Sequence, residues 1–196
     1  MTDKHHHLDD TNGMTASSAR GPEQPPAAAH WTTRPETADD TTAVHAVNAA
    51  TFPTEAEAVL VDTLRADPTA WLPGLSYVAE TADGSVAAYA LLTRCLVEGV
   101  PALALAPVAT APEHQRRGAG QAVVRAALDA ARLHGESLVL VLGHPEYYPR
   151  FGFVPASRYG ILAPFEVPDE AMMALVLDDS APVPRGTIEY PEAFGI

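Results

Sequence analysis

Cysteine is almost missing from this chain: Cys95 is the only one in 196 residues, which rules out any disulfide within it. It sits in an apolar stretch, where a thiol is more often an inert core group than a nucleophile, and such usage fits a reducing cytoplasm. Lysine is equally scarce. Lys4 stands alone, and the basic residues total 12 against 25 acidic ones, for a formal net charge of −13. A surface of that sign repels phosphate backbones and anionic headgroups, so neither nucleic acid nor membrane is an expected partner. Long apolar runs are missing too. None approaches the ~20 residues that span a bilayer, and the N-terminus lacks the basic region and apolar core of a secretory signal. The expectation is a soluble, cytoplasmic protein.

What is present suffices for an ordinary core. Hydrophobic residues make up 47% of the chain, and its length favours one domain with tails. Residues 1–29 run through His5-His6-His7, Asp9-Asp10, Ser17-Ser18 and Pro25-Pro26 without a hydrophobic period. They read as a disordered tail, its histidines as a tag remnant sooner than a metal site. Residues 30–178 read as the folded domain and 179–196 as a C-terminal extension. Thr41 to Ala50 predicts a helix, and a second follows from Thr54, which stands at capping-box spacing from Glu57, to Asp67-Pro68. Tyr77-Val78-Ala79 and Val86 to Leu92, separated by the turn dipeptide Asp83-Gly84, predict an antiparallel hairpin.

Residues 102–109 are apolar throughout, as in a strand covered on both faces, except that Pro107 donates no ladder bond and predicts a bulge or a parting there. A helix from about Gly118 to Leu133 and a buried strand from Leu138 to Leu142 complete a βαβ crossover, which makes the two strands parallel neighbours. Further strands are expected near Phe153 and over Met172 to Leu177. The last of these offers an edge to a second copy of the chain, hence a homodimer.

The chemistry concentrates in Val108 to Gln121, where a glycine-bearing loop joins a buried strand to a helix N-terminus. Unpaired N–H groups and the helix dipole favour an anion at such a place, Gly118 and Gly120 keep side chains out of the way, and Arg116 and Arg117 add positive charge. A dinucleotide fingerprint would need glycine where Val123 stands, and a P-loop would need Gly-Lys-Ser/Thr, which is absent. A tight turn with no ligand is the structural alternative.

Gln115-Arg116-Arg117-Gly118-Ala119-Gly120 resembles the Q/R-x-x-G-x-G/A signature of the GNAT superfamily of acyl-CoA-dependent N-acyltransferases. Tyr148-Pro149-Arg150-Phe151-Gly152-Phe153 is similar to its later Tyr-x-x-x-Gly-Phe element. The longer stretch from Leu142 to Phe153, with Pro164-Phe165 and Met172-Met173-Ala174, resembles a small bacterial branch of predicted N-acetyltransferases, and the likeness covers roughly residues 31–178.

The resemblance implies a mixed α/β (α+β) fold: a central, mostly antiparallel sheet, helices on both faces and a splayed parallel strand pair. It implies acetyl-CoA as co-substrate, no metal, and acetyl transfer by direct attack of a primary amine on a small molecule or peptide. A sensor that binds acyl-CoA without turnover is the alternative. The cofactor would lie along Val108, Ala109 and Thr110, with its pyrophosphate on Gln115, Arg116, Arg117, Gly118, Ala119, Gly120 and Gln121. Tyr148 would protonate the departing thiolate, and a phenol suits that task because it is neutral at pH 7. Tyr147 is the weaker choice by its offset from Gly152. For the base, residues 102–109 hold no titratable group, which leaves His144, Glu146, Glu113 or a bound water.

Overall fold

The computed structural model describes residues 30–196, so the tail with its three histidines lies outside the described residues. The strands are β1 (Thr32–Pro35), β2 (Trp71–Glu80), β3 (Val86–Val97), β4 (Val100–Thr110), β5 (Leu138–Leu142), β6 (Val154–Pro155), β7 (Ile161–Leu162), β8 (Met172–Val176) and β9 (Gly186–Glu189). The helices are α1 (Thr41–Thr51), α2 (Ala56–Arg65) and α3 (Ala119–Leu133). Strands follow the order β1-β2-β3-β4-β5-β8-β6. Every neighbouring pair along that order is antiparallel except β4 with β5, the crossover pair joined through α3.

α3 carries Val123, Val124, Ala127, Leu128 and Ala131 at helical spacing, all buried, with Arg125, Asp129 and Arg132 exposed opposite. Its apolar stripe packs on β2 and β3 and meets Leu103 and Leu105 of β4. The opposite face of the sheet is covered by α1 and α2 through Val44, Val47, Val61 and Leu64, which meet Val78, Tyr89, Leu91 and Ala109. Toward β5 and β8 that face is covered instead by the chain after Phe153, including Ile161 and Ile188. Leu103 and Leu105 thus face α3 while Ala102 and Ala104 face away, so β4 is buried on both sides as its unbroken apolar run requires.

Several elements depart from the sequence expectation. α2 begins at Ala56 with Glu55 at its cap. Thr54 only accepts the Ala56 N–H at 3.3 Å, so Glu57 is one residue too early to close a capping box. β2 starts six residues earlier than Tyr77, because its register with β3 shifts between Trp71 and Ser76 and absorbs Pro73 and Gly74 as an irregularity. β8 has β5 on one edge and β6 on the other, the latter opposite Met173 and Ala174, so the edge expected to meet a second subunit is partly occupied. Residues 179–196 supply β9, which pairs with Leu96 and Val97 of β3 and with β7.

Cys95 is buried, and burial pushes its thiol up to about 12, which keeps it protonated and inert. Glu36, just after β1, accepts bonds from Arg65 Nη2 at 2.5 Å, from Tyr89 Oη at 3.1 Å and from Ser76 Oγ. That buried knot ties the start of the domain to α2, β2 and β3.

Candidate active site

The site begins where β4 and β5 stop pairing. Their ladder contains only Leu103 with Val139 and Ala104 with Leu140, although β4 runs on to Thr110 and β5 to Leu142. The cause lies on the other edge of β4. Leu105 faces Leu92 of β3 and Val108 faces Ala90, so β4 uses one residue more than β3 over that span, and the bulge falls at Ala106-Pro107, whose peptide is cis. A bulge bends and twists its strand, and Pro107 has no N–H with which to resume a ladder. The parting expected at Pro107 is therefore present, beginning one residue past Ala104.

Beyond the bulge the backbone offers polar groups to the gap. Ala111 N–H bonds Ala87 C=O at 2.9 Å. By the alternation of an antiparallel ladder, Ala109 also turns its N–H and C=O toward β3, and Val108 and Thr110 turn theirs toward the gap. Ala109 thus contributes nothing to the cleft: its backbone is engaged, and its side chain is fully buried against α1 and α2. Thr110 C=O accepts from Thr51 Oγ1 at 3.1 Å and Gln115 Nε2 at 3.2 Å, so those two side chains hold the end of β4 in place.

The loop after β4 ends in Gly118, which caps α3 with φ +93°, a left-handed conformation suited to glycine. The first bond of the helix runs from Ala122 N–H to Gly118 C=O, which leaves the N–H groups of Ala119, Gly120 and Gln121 at the open end. Gly120 faces the cleft so closely that a Cβ there would stand 2.9 Å from Thr110 Oγ1 and 3.1 Å from Tyr147 Oη. Trp31 fixes the loop from outside, donating its indole N–H to Arg117 C=O at 2.9 Å and meeting His114 edge-on at 5.6 Å. Sequence reasoning missed Trp31, whose partner lies 86 positions away.

These elements enclose a cleft of about 600 Å³. It brings together Val108, Thr110, Gln115, Arg116, Gly118, Gly120, Gln121, His144 and Tyr148 of the expected residues, and adds Thr51, Tyr147 and Arg150. Arg117 and Ala119 do not line it: Arg117 is exposed and supplies only its carbonyl to Trp31, and the Ala119 side chain is buried under α3. Glu113 is exposed outside the cleft, and Glu146 lines a neighbouring hollow with His144 and Pro145. Arg150 is held by its Nε bond to Tyr147 C=O at 2.7 Å and lies over that ring, which places a second cation on the rim with Arg116.

Tyr148 is 8% exposed and packs edge-on against Phe153 and Tyr147. Burial, and then the neighbouring Tyr147, push its phenol up to about 12, so it holds its proton throughout the neutral range. Gly143 makes room for it. A Cβ at Gly143 would clash with Tyr148 Cε2, and Phe151 and Phe153 pack against the same ring. Gly143→Ala should displace the Tyr148 ring and cost about 1–3 kcal/mol of stability, seen as a fall in melting temperature.

A strand pair opened at a bulge, leading straight to a free helix N-terminus with a buried tyrosine across from it, can be compared with known proteins. The acetyltransferase (GNAT) family model matches residues 41–153, more than half of the chain. The chain belongs to that family. It is an acetyl-CoA-dependent N-acetyltransferase, and both ordered motifs lie within the matched span. Among its relatives, the uncharacterized N-acetyltransferase YjhQ of Escherichia coli (strain K12) is 36% identical over 146 residues, covering 72% of this chain and 80% of YjhQ. The crystal structure of the GNAT family N-acetyltransferase YhbS from Escherichia coli, in complex with CoA, superposes with a TM-score of 0.79 at 28% identity, covering 89% of this chain and 96% of YhbS. A GNAT family acetyltransferase from Brucella melitensis, in complex with acetyl-CoA, gives 0.69 at 27% identity, covering 84% and 98%.

Proposed function

We propose that this N-acetyltransferase works by direct attack of a primary amine, carried by a small molecule or peptide, on acetyl-CoA held in the gap between β4 and β5. The observation that carries this reading is the two-pair ladder, which leaves Val108 and Thr110 backbone groups facing a gap that opens on the N-terminus of α3. The pantetheine arm carries amides and would bond the Val108 C=O and the Thr110 N–H as an added strand does. Its diphosphate would sit on the N–H groups of Ala119, Gly120 and Gln121, with Arg116 and Arg150 at the rim.

The thioester oxygen would then meet the Val108 N–H, whose donor is fixed in direction before reaction and can steady the negative charge that develops on that oxygen. Carbon–nitrogen bond formation leaves a proton on the amine, which passes to His144 or to water. The carbon–sulfur bond breaks as Tyr148 gives its proton to the departing thiolate, and solvent restores the phenol. Tyr147 serves the other end of the site, since its hydroxyl reaches Gly120.

The test has two readings from one sample. CoA at about 100 times its Kd should stabilise the fold by about 2.7 kcal/mol, seen as a rise in melting temperature of a few degrees. With acetyl-CoA and a panel of primary amines, free thiol should appear at a rate that depends on the amine. Stabilisation without thiol release from any amine would contradict transfer, and no stabilisation would contradict the binding site.

A further inference from the structure

The gap between β4 and β5 has a second open space, at its apex. It holds about 150 Å³ and begins at Ala104 and Leu140, the last residues of the ladder. Leu105 and Ala106 continue its wall on one strand and Val141 and Leu142 on the other. The chain after β9 closes it from the face opposite α3, with Tyr190 and Phe194 stacked at 5.1 Å between ring centroids. Ile196 completes the wall; none of its side chains is charged, and the one side-chain hydroxyl, on Tyr190, reaches Met172 Sδ at 4.0 Å.

The direction of the donor decides what enters. Its diphosphate lies at the mouth of the gap, by residues 116–121, and its thioester oxygen at Val108, so the acyl group points inward, toward the apex. The nearest wall residue, Ala106, lies two positions before Val108, a span of at most roughly 6 Å that the bulge shortens further. An acetyl methyl extends only about 1.5 Å beyond the carbonyl carbon, which leaves the apex empty. No side chain of the wall offers an ammonium a counter-charge, whereas an apolar acyl chain gains by leaving water there. A dry apolar space of about this volume does take a six-carbon molecule.

We propose that the apex is an acyl-chain pocket, and that the enzyme accepts straight acyl groups of about four to six carbons as well as acetyl, with Phe194 as its floor. The inference rests on the donor site proposed above. The transfer is unchanged by chain length: the carbonyl carbon exchanges sulfur for nitrogen, the amine loses a proton and the thiolate gains one.

Calorimetry on the full chain with CoA, acetyl-CoA, butyryl-CoA and hexanoyl-CoA tests it. Two added methylenes buried in the pocket should make butyryl-CoA bind on the order of tenfold more tightly than acetyl-CoA. Phe194→Trp, which fills the space from the chain after β9, should erase that difference while CoA itself binds as before. Phe194→Ala, which deepens the pocket from a segment outside the β4–β5 pair, should favour hexanoyl-CoA over butyryl-CoA by several-fold more than the parent does. If CoA and acetyl-CoA bind and butyryl-CoA binds no better, the pocket is refuted and the donor site stands. If Phe194→Ala leaves the chain-length preference unmoved, its place as the floor is refuted. Failure of CoA itself to bind would overturn the donor site and the pocket with it.

Discussion

Gly120→Glu should abolish measurable CoA binding while leaving the unliganded protein folded. The position is in the first turn of α3, where a Cβ would stand against Thr110 Oγ1 and Tyr147 Oη and where the diphosphate is proposed to sit. A carboxylate about 4 Å from a phosphate charge costs about 4 kcal/mol at the effective dielectric of a protein surface, which is close to a thousandfold in Kd. The bulk of the side chain adds to this. Helix stability argues in the other direction, because glutamate is a better helix former than glycine and a negative charge is favourable at a helix N-terminus. A melting temperature close to the parent's, together with heats of CoA binding too small to fit, is the expected result. Gly120→Ala should be milder, since the nearest atoms are the ends of two rotatable side chains.

Tyr148→Phe should lower kcat by about 100-fold to 10,000-fold with little change in CoA affinity. The substitution keeps the ring that packs on Gly143, Phe151 and Phe153 and removes only the hydroxyl. Turnover with an amine found in the panel, measured at neutral pH, provides the comparison, and an unchanged kcat would remove Tyr148 as the acid. The pH profile supplies an independent reading. Burial raises the phenol from 10.0 to about 12, so the folded protein holds this proton more tightly than the unfolded chain does. The stability linked to it is complete below pH 10 and is lost only as the pH rises from there toward 12. The parent should therefore show no alkaline fall in rate from Tyr148 below about pH 10.

Gly120 is legible as a glycine at a helix N-terminus after a buried strand, whereas Tyr148 as the acid rests on the resemblance of residues 148–153 to a family element. Gln115 to Gly120 and Tyr148 to Phe153 are short motifs in which each residue's role depends on its near neighbours, such as Gly118 capping α3 in a left-handed conformation. Pro107 was equally legible, since the loss of one N–H in an apolar strand has a direct consequence for the ladder. Residues whose role depends on distant partners were not. Trp31 looks like the first apolar residue of a domain until its indole is seen on Arg117. Gly143 looks like an ordinary turn glycine until the Tyr148 ring is found against it. Ala109 and Val108 are adjacent apolar residues, and only the register with β3 shows which of them faces the gap. β9 is four residues in a proline-bearing stretch and has no period to read; pairing with β3 and β7 alone makes it a strand.

If the parted strands and the open end of α3 form one continuous donor site, a crystal structure of the protein with CoA bound will show it. The pantetheine arm should lie between residues 105–110 and β5, bonded to Val108 and Thr110, with diphosphate oxygens about 3 Å from the N–H groups of Ala119, Gly120 and Gln121 and the sulfur facing the Tyr148 hydroxyl. A β4–β5 ladder hydrogen-bonded out to Leu142, or CoA bound away from the loop at 116–121, would contradict it.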